Sequence, residues 1–403
     1  MNKKSISDVD LDGLRGRTVI VRADLNVPLD AGVISDDQRI QASLPTLRRL
    51  TDAGARVVLL SHLGRPKGQV DPAYSLAPVA NRLNELLEPR VHFVPHTDGG
   101  AAADALDVVG EGEVALLENT RFLPGETAND PALASSWAAL GDLFVNDAFG
   151  TAHRAHASTA GLAEAMRSKG GEAVAGLLLA RELEFLEEAL RLPERPFVAI
   201  IGGAKISSKI GVVSSLLPRV DHLLIGGAMA NTFFRALGLG TGDSLVEEDS
   251  IGVAKELLDQ GGDRLVLPVD CIVASEITPD AERRPTERTS VRPGDRILDI
   301  GPRTRELFAD TVGEARTIVW NGPMGVFEID AFAEGTVDIA HAVATACDAG
   351  AIGILGGGDS AAAAQRAGVM DRLTHVSTGG GASLELLAGA ELPGVDALTD
   401  RSS

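Results

Sequence analysis

The sequence predicts an α/β protein built from two doubly wound parallel sheets, one per domain, joined by a long helix. Three observations carry that prediction. Ten short runs rich in Val, Ile and Leu recur along the 403 residues, none longer than five. Amphipathic patterns long enough for helices lie between them. Ten strands are also more than one open parallel sheet usually carries, and the length accommodates two or three domains.

The runs are TVIV (18–21), RVVLL (56–60), VALL (114–117), LFV (143–145), FVAII (197–201), HLLI (222–225), RLVL (264–267), RILDI (296–300), TIVW (317–320) and AIGIL (351–355). They are too short for free-standing helices and suit strands buried on both faces. LAPVANRLNELLE (76–88), ISSKIGVVSSLLPRV (206–220) and VEEDSIGVAKELLDQG (246–261) have helical spacing, the last closing on a glycine pair. AVAGLLLARELEFLEEALRLPERP (173–196) is expected to be the joint. It has no Pro or Gly between Gly176 and Pro193, and a loop linker would be more polar. The expected layout is a first domain over 1–172, a linker helix over 173–196 and a second domain over 197–390, both domains Rossmann-like.

Composition narrows the function. Against 37 Lys and Arg stand 57 Asp and Glu, a formal net charge of −20. That balance argues against nucleic acid and anionic membranes as partners, though not against a local basic cleft. MNKKSISDVDLDGLRG has no apolar core, so no signal peptide is expected, and no apolar run approaches the roughly 20 residues of a membrane span. Cys271 and Cys347 fit no metal-binding spacing and are expected to be reduced thiols in a cytoplasmic protein.

Ligands of open parallel sheets bind beyond the carboxyl ends of the strands, so the residues after each run carry the information. In the first half these are RADLN, SHLGRP, ENTRF and NDAFGTAHRAHAST, with Arg22, His62, Arg65, Arg121, Arg154 and His156. Arg39 is expected in a loop near the first strand end. Arginine forks bind phosphate and carboxylate bidentately, which suits a small, highly charged anion. Any one of these arginines could instead pair with a surface carboxylate; four strand ends carrying one each favour a ligand.

In the second half the equivalent segments are GGAK, GGAMAN, GPRT, NGPMGVFE, GGGDS and STGGGAS. Glycine lets backbone N–H groups approach phosphates, so this half suits a nucleotide. Asp359 could ligate Mg²⁺, which usually takes one or two carboxylates besides phosphate oxygens, or it could merely cap its helix. No Gly-Lys pair occurs anywhere, which excludes a Walker A loop. GGGDSA (356–361) matches the loose dinucleotide pattern, but the segment about 20 residues on is HVSTGGG, without the acidic residue that nicotinamide binding needs.

VRADLNVP, SHLGRP, ENTRF, DAFGTAHRAHAST, GGAKISSKI, WNGPMGVFE, GGGDS and STGGGASLE together resemble phosphoglycerate kinase, in that family's order and over nearly the whole chain. Ala228, where the family often has glycine, and Ile206, Ser207 and Ser208 between the lysines are small departures. The resemblance implies a hinged two-domain enzyme that transfers phosphoryl from 1,3-bisphosphoglycerate to MgADP, giving 3-phosphoglycerate and MgATP. It implies a substrate site at Asp24, Asn26, Arg39, His62, Leu63, Gly64, Arg65, Arg121 and Arg154. It implies a nucleotide site at Gly203, Lys205, Lys209, Gly227, Gly301, Asn321, Glu328, Gly357, Gly358, Asp359 and Ser360, with Asp359 toward Mg²⁺. It also implies a monomer whose residues from about 391 to 403 return to the first domain.

Two of only seven lysines, Lys205 and Lys209, stand behind the Gly202–Gly203 pair. If Ile206 starts a helix, both lysines share one face and meet phosphate oxygens beside the N–H groups of Gly202 and Gly203. Lys205 and Arg39 would then flank the transferring group, with Lys209 beside it. No general base is required, because the acceptor carboxylate is already ionised at neutral pH. Two other readings stay open: a non-catalytic nucleotide-binding protein on the same fold, and a different acyl-phosphate kinase. The first would show replacements at Arg39, Lys205 or Asp359, and all three are present.

Overall fold

The computed structural model describes residues 2–401; Met1, and Ser402 and Ser403 at the end of the expected returning segment, lie outside the described residues. Contacts divide the chain into two compact units, Met1–Glu184 with Glu391–Ser403, and Phe185–Ala390.

The first unit contains β1 (Thr18–Arg22), β2 (Leu29–Asp30), β3 (Val33–Ile34), β4 (Arg56–Leu60), β5 (Val91–Val94), β6 (Val114–Leu117), β7 (Leu143–Asn146) and β8 (Glu172–Ala175). β2 and β3 form a small antiparallel hairpin. The other six make a parallel sheet in the order β5-β6-β4-β1-β7-β8. Val19, Ile20, Val21, Val57, Leu59 and Phe144 are buried, as strands covered on both faces require. Arg22 pairs in register with Leu60 on one side and Asn146 on the other. The carboxyl ends are therefore level, and their loops emerge together.

The second unit contains β9 (Phe197–Ile201), β10 (His222–Ile225), β11 (Leu265–Val266), β12 (Asp270–Ala274), β13 (Arg284–Glu287), β14 (Arg296–Ile300), β15 (Thr317–Asn321), β16 (Ile352–Gly356) and β17 (His375–Val376). Its main sheet is parallel in the order β11-β10-β9-β15-β16-β17, the doubly wound 3-2-1-4-5-6 arrangement. The strand order reverses between β9 and β15, where Ile201 pairs with Asn321. A crevice opens at such a point because the connections leave toward opposite faces. No helix among the described residues is long and apolar enough to cross a membrane.

Three expectations need correction. RILDI is a strand, but β14 pairs antiparallel with β12, and β12 with β13, in a separate three-stranded sheet. Its half-exposed start suits an edge rather than a doubly covered strand. The run over 173–196 is not one helix, for residues 173–175 belong to β8 and the helix is Leu177–Arg191. The break is set by Asp147 from the end of β7, whose Oδ1 accepts from the N–H groups of Leu178 (2.9 Å) and Leu179 (3.1 Å). Asp147 caps the helix from outside, and a Cβ on Gly176 would lie 2.1 Å from that oxygen, so the chain needs glycine there. Finally, the helix expected from Ile206 begins at Ile210. Ser207 is held in a turn by Glu247, 40 residues further on, through its N–H (3.0 Å) and Oγ (2.6 Å), and this bonding competes with helix formation.

The C-terminal segment packs on the first unit. Asn146 Nδ2 donates to Gly394 O (2.9 Å), Thr399 N to Ala173 O (2.8 Å), and Lys4 N to Thr399 O (2.8 Å).

Candidate active site

The level strand ends of the first unit carry a layered cluster. Its floor is the buried Arg22, whose Nε donates to Ser158 Oγ (2.8 Å) and whose Nη2 lies 3.0 Å from His62 Nδ1. Nη1 donates to Ala23 O. Burial lowers the guanidinium pKa, and the charges of Glu126 and Asp24 oppose that. Burial, with Arg22, Arg121 and Arg39 nearby, pushes His62 well below its ordinary value. The ring is neutral near pH 7. With Nδ1 accepting from Arg22, its proton sits on Nε2. His156 is lowered to about 4, chiefly by burial, against the pull of Glu126.

Above this floor Arg39 pairs with Asp24 Oδ2. Arg39 is the second residue of the helix Gln38–Asp52 rather than part of a loop, which corrects the sequence reading. Asp37 is not its partner, being held by Arg82 (Nε, 2.8 Å). Asn26 Oδ1 accepts from Gly64 N (2.8 Å), and Arg121 Nη1 donates to Gly64 O (2.8 Å). Leu63 is clamped through both backbone groups by Asn119. Burial, then the charge of Arg22, lowers Arg121 to about 10, so it remains a cation at neutral pH. Arg65 and Arg154 are exposed, and Arg154 lies within electrostatic reach of Arg121 and His156.

The cluster thus joins Asp24, Asn26, Arg39, His62, Leu63, Gly64 and Arg121, while Arg65 is joined to it only through its chain neighbour Gly64. Arg22 and His156, expected to face a ligand, lie buried beneath it instead. Their positions follow strands as those of the true surface arginines do, so spacing alone does not separate the two layers. Glu126 carries no sequence signal, and Ser158, inside NDAFGTAHRAHAST, carries none that sets it apart from its neighbours.

In the second unit a cavity of about 270 Å³ opens at the reversal point of the sheet. Gly203, Gly227, Ala228, Glu328 and Asp359 contribute to its lining, and Phe234, Pro268, Ile300 and Val326 give it apolar walls suited to a flat aromatic base. Gly227 has φ +68, and a Cβ there would stand 2.5 Å from Gly203 N and 2.9 Å from Pro323 O. Ala228 follows with φ −65, where a side chain costs nothing, so this departure leaves the loop intact.

The amides of Gly202 and Gly203, expected to face phosphates, are already bonded to Asn321 O (2.9 Å) and Pro323 O (3.0 Å). The unpaired amides belong instead to the start of the helix Gly358–Arg366, whose first intrahelical donor is Ala361. Lys209 and Lys205 do not share a helix face. Lys209 is the residue before Ile210–Leu216, and its Nζ donates to Asn321 Oδ1. Burial lowers it to about 8, with Asp359 opposing. Lys205 is exposed in the preceding turn.

Asn321 and Ser360 are buried braces. Asn321 Nδ2 donates to Gly356 O (2.6 Å), and Ser360 Oγ accepts from Gly322 N (2.6 Å) and donates to Gly356 O (3.0 Å). Gly357 turns the chain into the helix with φ +95. Gly301 precedes the helix Pro302–Gly313, bonded through its N–H to Asp270 O (2.9 Å), behind the cavity lining. Among the described residues no three His, Cys, Asp or Glu side chains gather to hold a metal. Asp359, exposed at its helix start, is a lone carboxylate, which fits a cation carried chiefly by phosphate oxygens. Cys271 and Cys347 are free thiols, and burial pushes Cys271 up to about 12. Sequence reading also passed over Asp299, a cavity-lining carboxyl that burial raises to about 7.

Two doubly wound units, one with a cationic strand-end surface and the other with a glycine-lined cavity beside a lysine and a carboxylate, define an α/β phosphotransferase. A family model described as phosphoglycerate kinase matches residues 6–390. The phosphoglycerate kinase of Chloroflexus aggregans is 55% identical over 407 residues, covering 99% of this chain and 100% of that one. The phosphoglycerate kinase of Rubrobacter xylanophilus is 54% identical over 401 residues, covering 100% and 99%. The solved structure of the Coxiella burnetii phosphoglycerate kinase superposes with a TM-score of 0.87 at 42% identity, covering 98% of each chain. The chain belongs to the phosphoglycerate kinase family.

Proposed function

We propose that the first unit holds 3-phosphoglycerate or 1,3-bisphosphoglycerate and the second holds ADP or ATP. The chain is a glycolytic kinase that moves a phosphoryl group reversibly between them. An oxygen of the ADP β-phosphate attacks the acyl-phosphate phosphorus, the bond from phosphorus to the carboxyl oxygen breaks, and a carboxylate leaves. Neither nucleophile nor leaving group needs a proton moved at neutral pH, so positioning and charge neutralisation are the protein's tasks.

The observation that carries this reading is the contrast between the two strand-end surfaces. Arg39, Arg65, Arg121 and Arg154 supply guanidinium forks for the substrate phosphate and carboxylate, and the neutral His62 donates from Nε2. Asp24 holds Arg39 ready, and Asn26 holds the Gly64 turn. In the second unit the apolar walls take the base, and Glu328 serves the ribose. The amides of Gly358, Asp359 and Ser360 take phosphate oxygens. Lys209 and Lys205 meet the phosphates as point charges. Mg²⁺ would be held by Asp359 together with the nucleotide, and when bound it neutralises phosphate charge.

Transfer then requires the two units to close and exclude water, because an exposed phosphoryl group would be hydrolysed. We place the enzyme in the cytoplasm as a monomer, with no nucleic-acid or membrane partner; the net charge of −20 supports the last point. The test is a coupled assay with 3-phosphoglycerate and MgATP. Absence of turnover in purified, folded protein would remove the reading. Asp359→Asn should weaken MgADP binding while leaving 3-phosphoglycerate affinity intact by calorimetry, and equal loss of both would sink its metal role.

A further inference from the structure

Glu126 lies fully buried beneath the cationic cluster, out of reach of any substrate. Its Oε1 accepts from Ser158 Oγ (2.6 Å) and Thr120 Oγ1 (3.2 Å), and its Oε2 accepts from Ser158 N (2.9 Å). A buried carboxylate with three protein donors is a costly arrangement unless it offsets another charge. Here that charge is Arg22, equally buried.

We propose that Glu126 is a positioning residue for the substrate site, acting through Ser158 and Arg22 to fix the tautomer and aim of His62. The direction of each hydrogen bond follows from the chemistry. Glu126 Oε1 accepts from Ser158 Oγ, so the single proton of that hydroxyl points to Glu126. The lone pair left on that hydroxyl accepts from Arg22 Nε. The guanidinium, now pinned at one edge, presents Nη2 to His62 Nδ1. His62 is left with its proton on Nε2, the form that donates to an anion.

The same carboxylate reaches the neighbouring strand-end loops. Thr120 directly precedes Arg121, and Ser158 follows the segment carrying Arg154 and His156, whose Nδ1 stands 4.0 Å from Glu126 Oε1. One buried anion thus ties the segment after β6 to the segment after β7, and through Ser158 it reaches Arg22 at the end of β1. This rests on the assignment of the first unit to 3-phosphoglycerate.

The test compares Glu126→Gln, Ser158→Ala and wild type in full-length enzyme. Glu126→Gln keeps shape and removes charge; Ser158→Ala breaks the relay and keeps charge. Losing a charge-assisted hydrogen bond of this kind corresponds to about 10- to 100-fold. The expected result is a rise of that size in 3-phosphoglycerate KM for Glu126→Gln and a smaller rise for Ser158→Ala. In both, MgADP affinity stays at the wild-type value and kcat falls less than KM rises. Nitrogen-15 shifts of the His62 ring should show the Nδ1 acceptor weakened in both variants, a change that a merely structural role would not produce. Should Glu126→Gln not fold, Ser158→Ala decides alone. A variant with KM within about twofold of wild type and an unaltered His62 ring overturns the proposal, as does equal loss of both substrates. Wild-type enzyme that fails to bind 3-phosphoglycerate overturns the substrate assignment along with it.

Discussion

Arg22 ends β1 and Ile201 ends β9, each strand beside the place where connections leave its sheet in opposite directions. What each strand end presents is opposite in kind. The first unit stacks charge in two layers, a buried floor of Arg22, Glu126 and neutral His62 below and Arg39, Arg121 and Arg154 nearer the surface. The second unit presents main chain, with glycine turns crossing at Gly203, Gly227 and Gly322 and a single half-buried lysine at Lys209. A buried cation is tolerated only with partners, so the first surface draws counter-charges from several loops. A main-chain surface needs room instead, so the second is sensitive to any added Cβ. Two parallel sheets of six strands, with different strand orders, thus fail in different ways when damaged.

The largest expected effect comes from the first surface. Arg39 pairs with Asp24, inside the cluster, rather than with Asp36 or Asp37 at the surface. If it meets charge developing on the transferring group, Arg39→Ala should lower kcat by about 10²- to 10³-fold, the usual loss for one preorganised donor. MgADP affinity should change only a few-fold. An ordinary exposed ion pair would be worth roughly 0–1 kcal/mol and leave turnover near normal. Steady-state kinetics decide between them, and kcat within about threefold of wild type removes Arg39 from the mechanism.

The second expected effect damages only the other surface. An alanine at position 227 must adopt φ +68, which costs about 1–2 kcal/mol for a residue with a Cβ, and must push Gly203 N and O aside from 2.5 and 2.6 Å. Gly227→Ala should therefore weaken MgADP binding by on the order of 30-fold. The 3-phosphoglycerate isotherm should be unchanged. Calorimetry with each ligand separately checks this, and parallel losses would mean that the two surfaces are not independent.

Why the strands were legible and the site only partly so follows from range. Apolar runs such as FVAII and TIVW are buried on both faces and announce themselves locally. VHFV at the sheet edge, with two half-buried residues, does not. Residues 173–175 read as helix in the sequence because the stop signal, Asp147, lies 29 residues before Gly176 in the chain. The lysine pair has helical spacing but not helical geometry, because Glu247, which holds Ser207 in a turn, lies 40 residues away. Glycine motifs lead to the cavity at the reversal point of the sheet, but they do not say which amides are free, and those of Gly202 and Gly203 are not. Arg22 and Arg121 look alike in sequence, and only burial separates floor from surface.

The smallest expected effect sharpens the comparison through pH. Lys209 is the charged side chain that the glycine surface half-buries, and burial brings its pKa from 10.5 to about 8. A lowered lysine pKa means that the unfolded chain binds more protons than the folded one between about 8 and 10.5. The stability contribution of this group in ligand-free protein therefore rises with pH across that window. Nucleotide phosphates demand the opposite, because they bind the charged form. MgADP affinity should fall as pH rises from 7 to 9, by at most about tenfold, because a group with a pKa of about 8 goes from about nine-tenths to about one-tenth charged over that range. Lys209→Arg keeps its charge throughout this range and should flatten the dependence. Arg121 in the first unit sits at about 10, above this range, so 3-phosphoglycerate affinity should stay level between pH 7 and 9. Isotherms for both ligands at pH 7, 8 and 9 provide the check. A flat MgADP profile in the wild type would mean that Lys209 stays charged or does not meet the phosphates, and a matching slope for 3-phosphoglycerate would locate the titrating group outside the glycine surface.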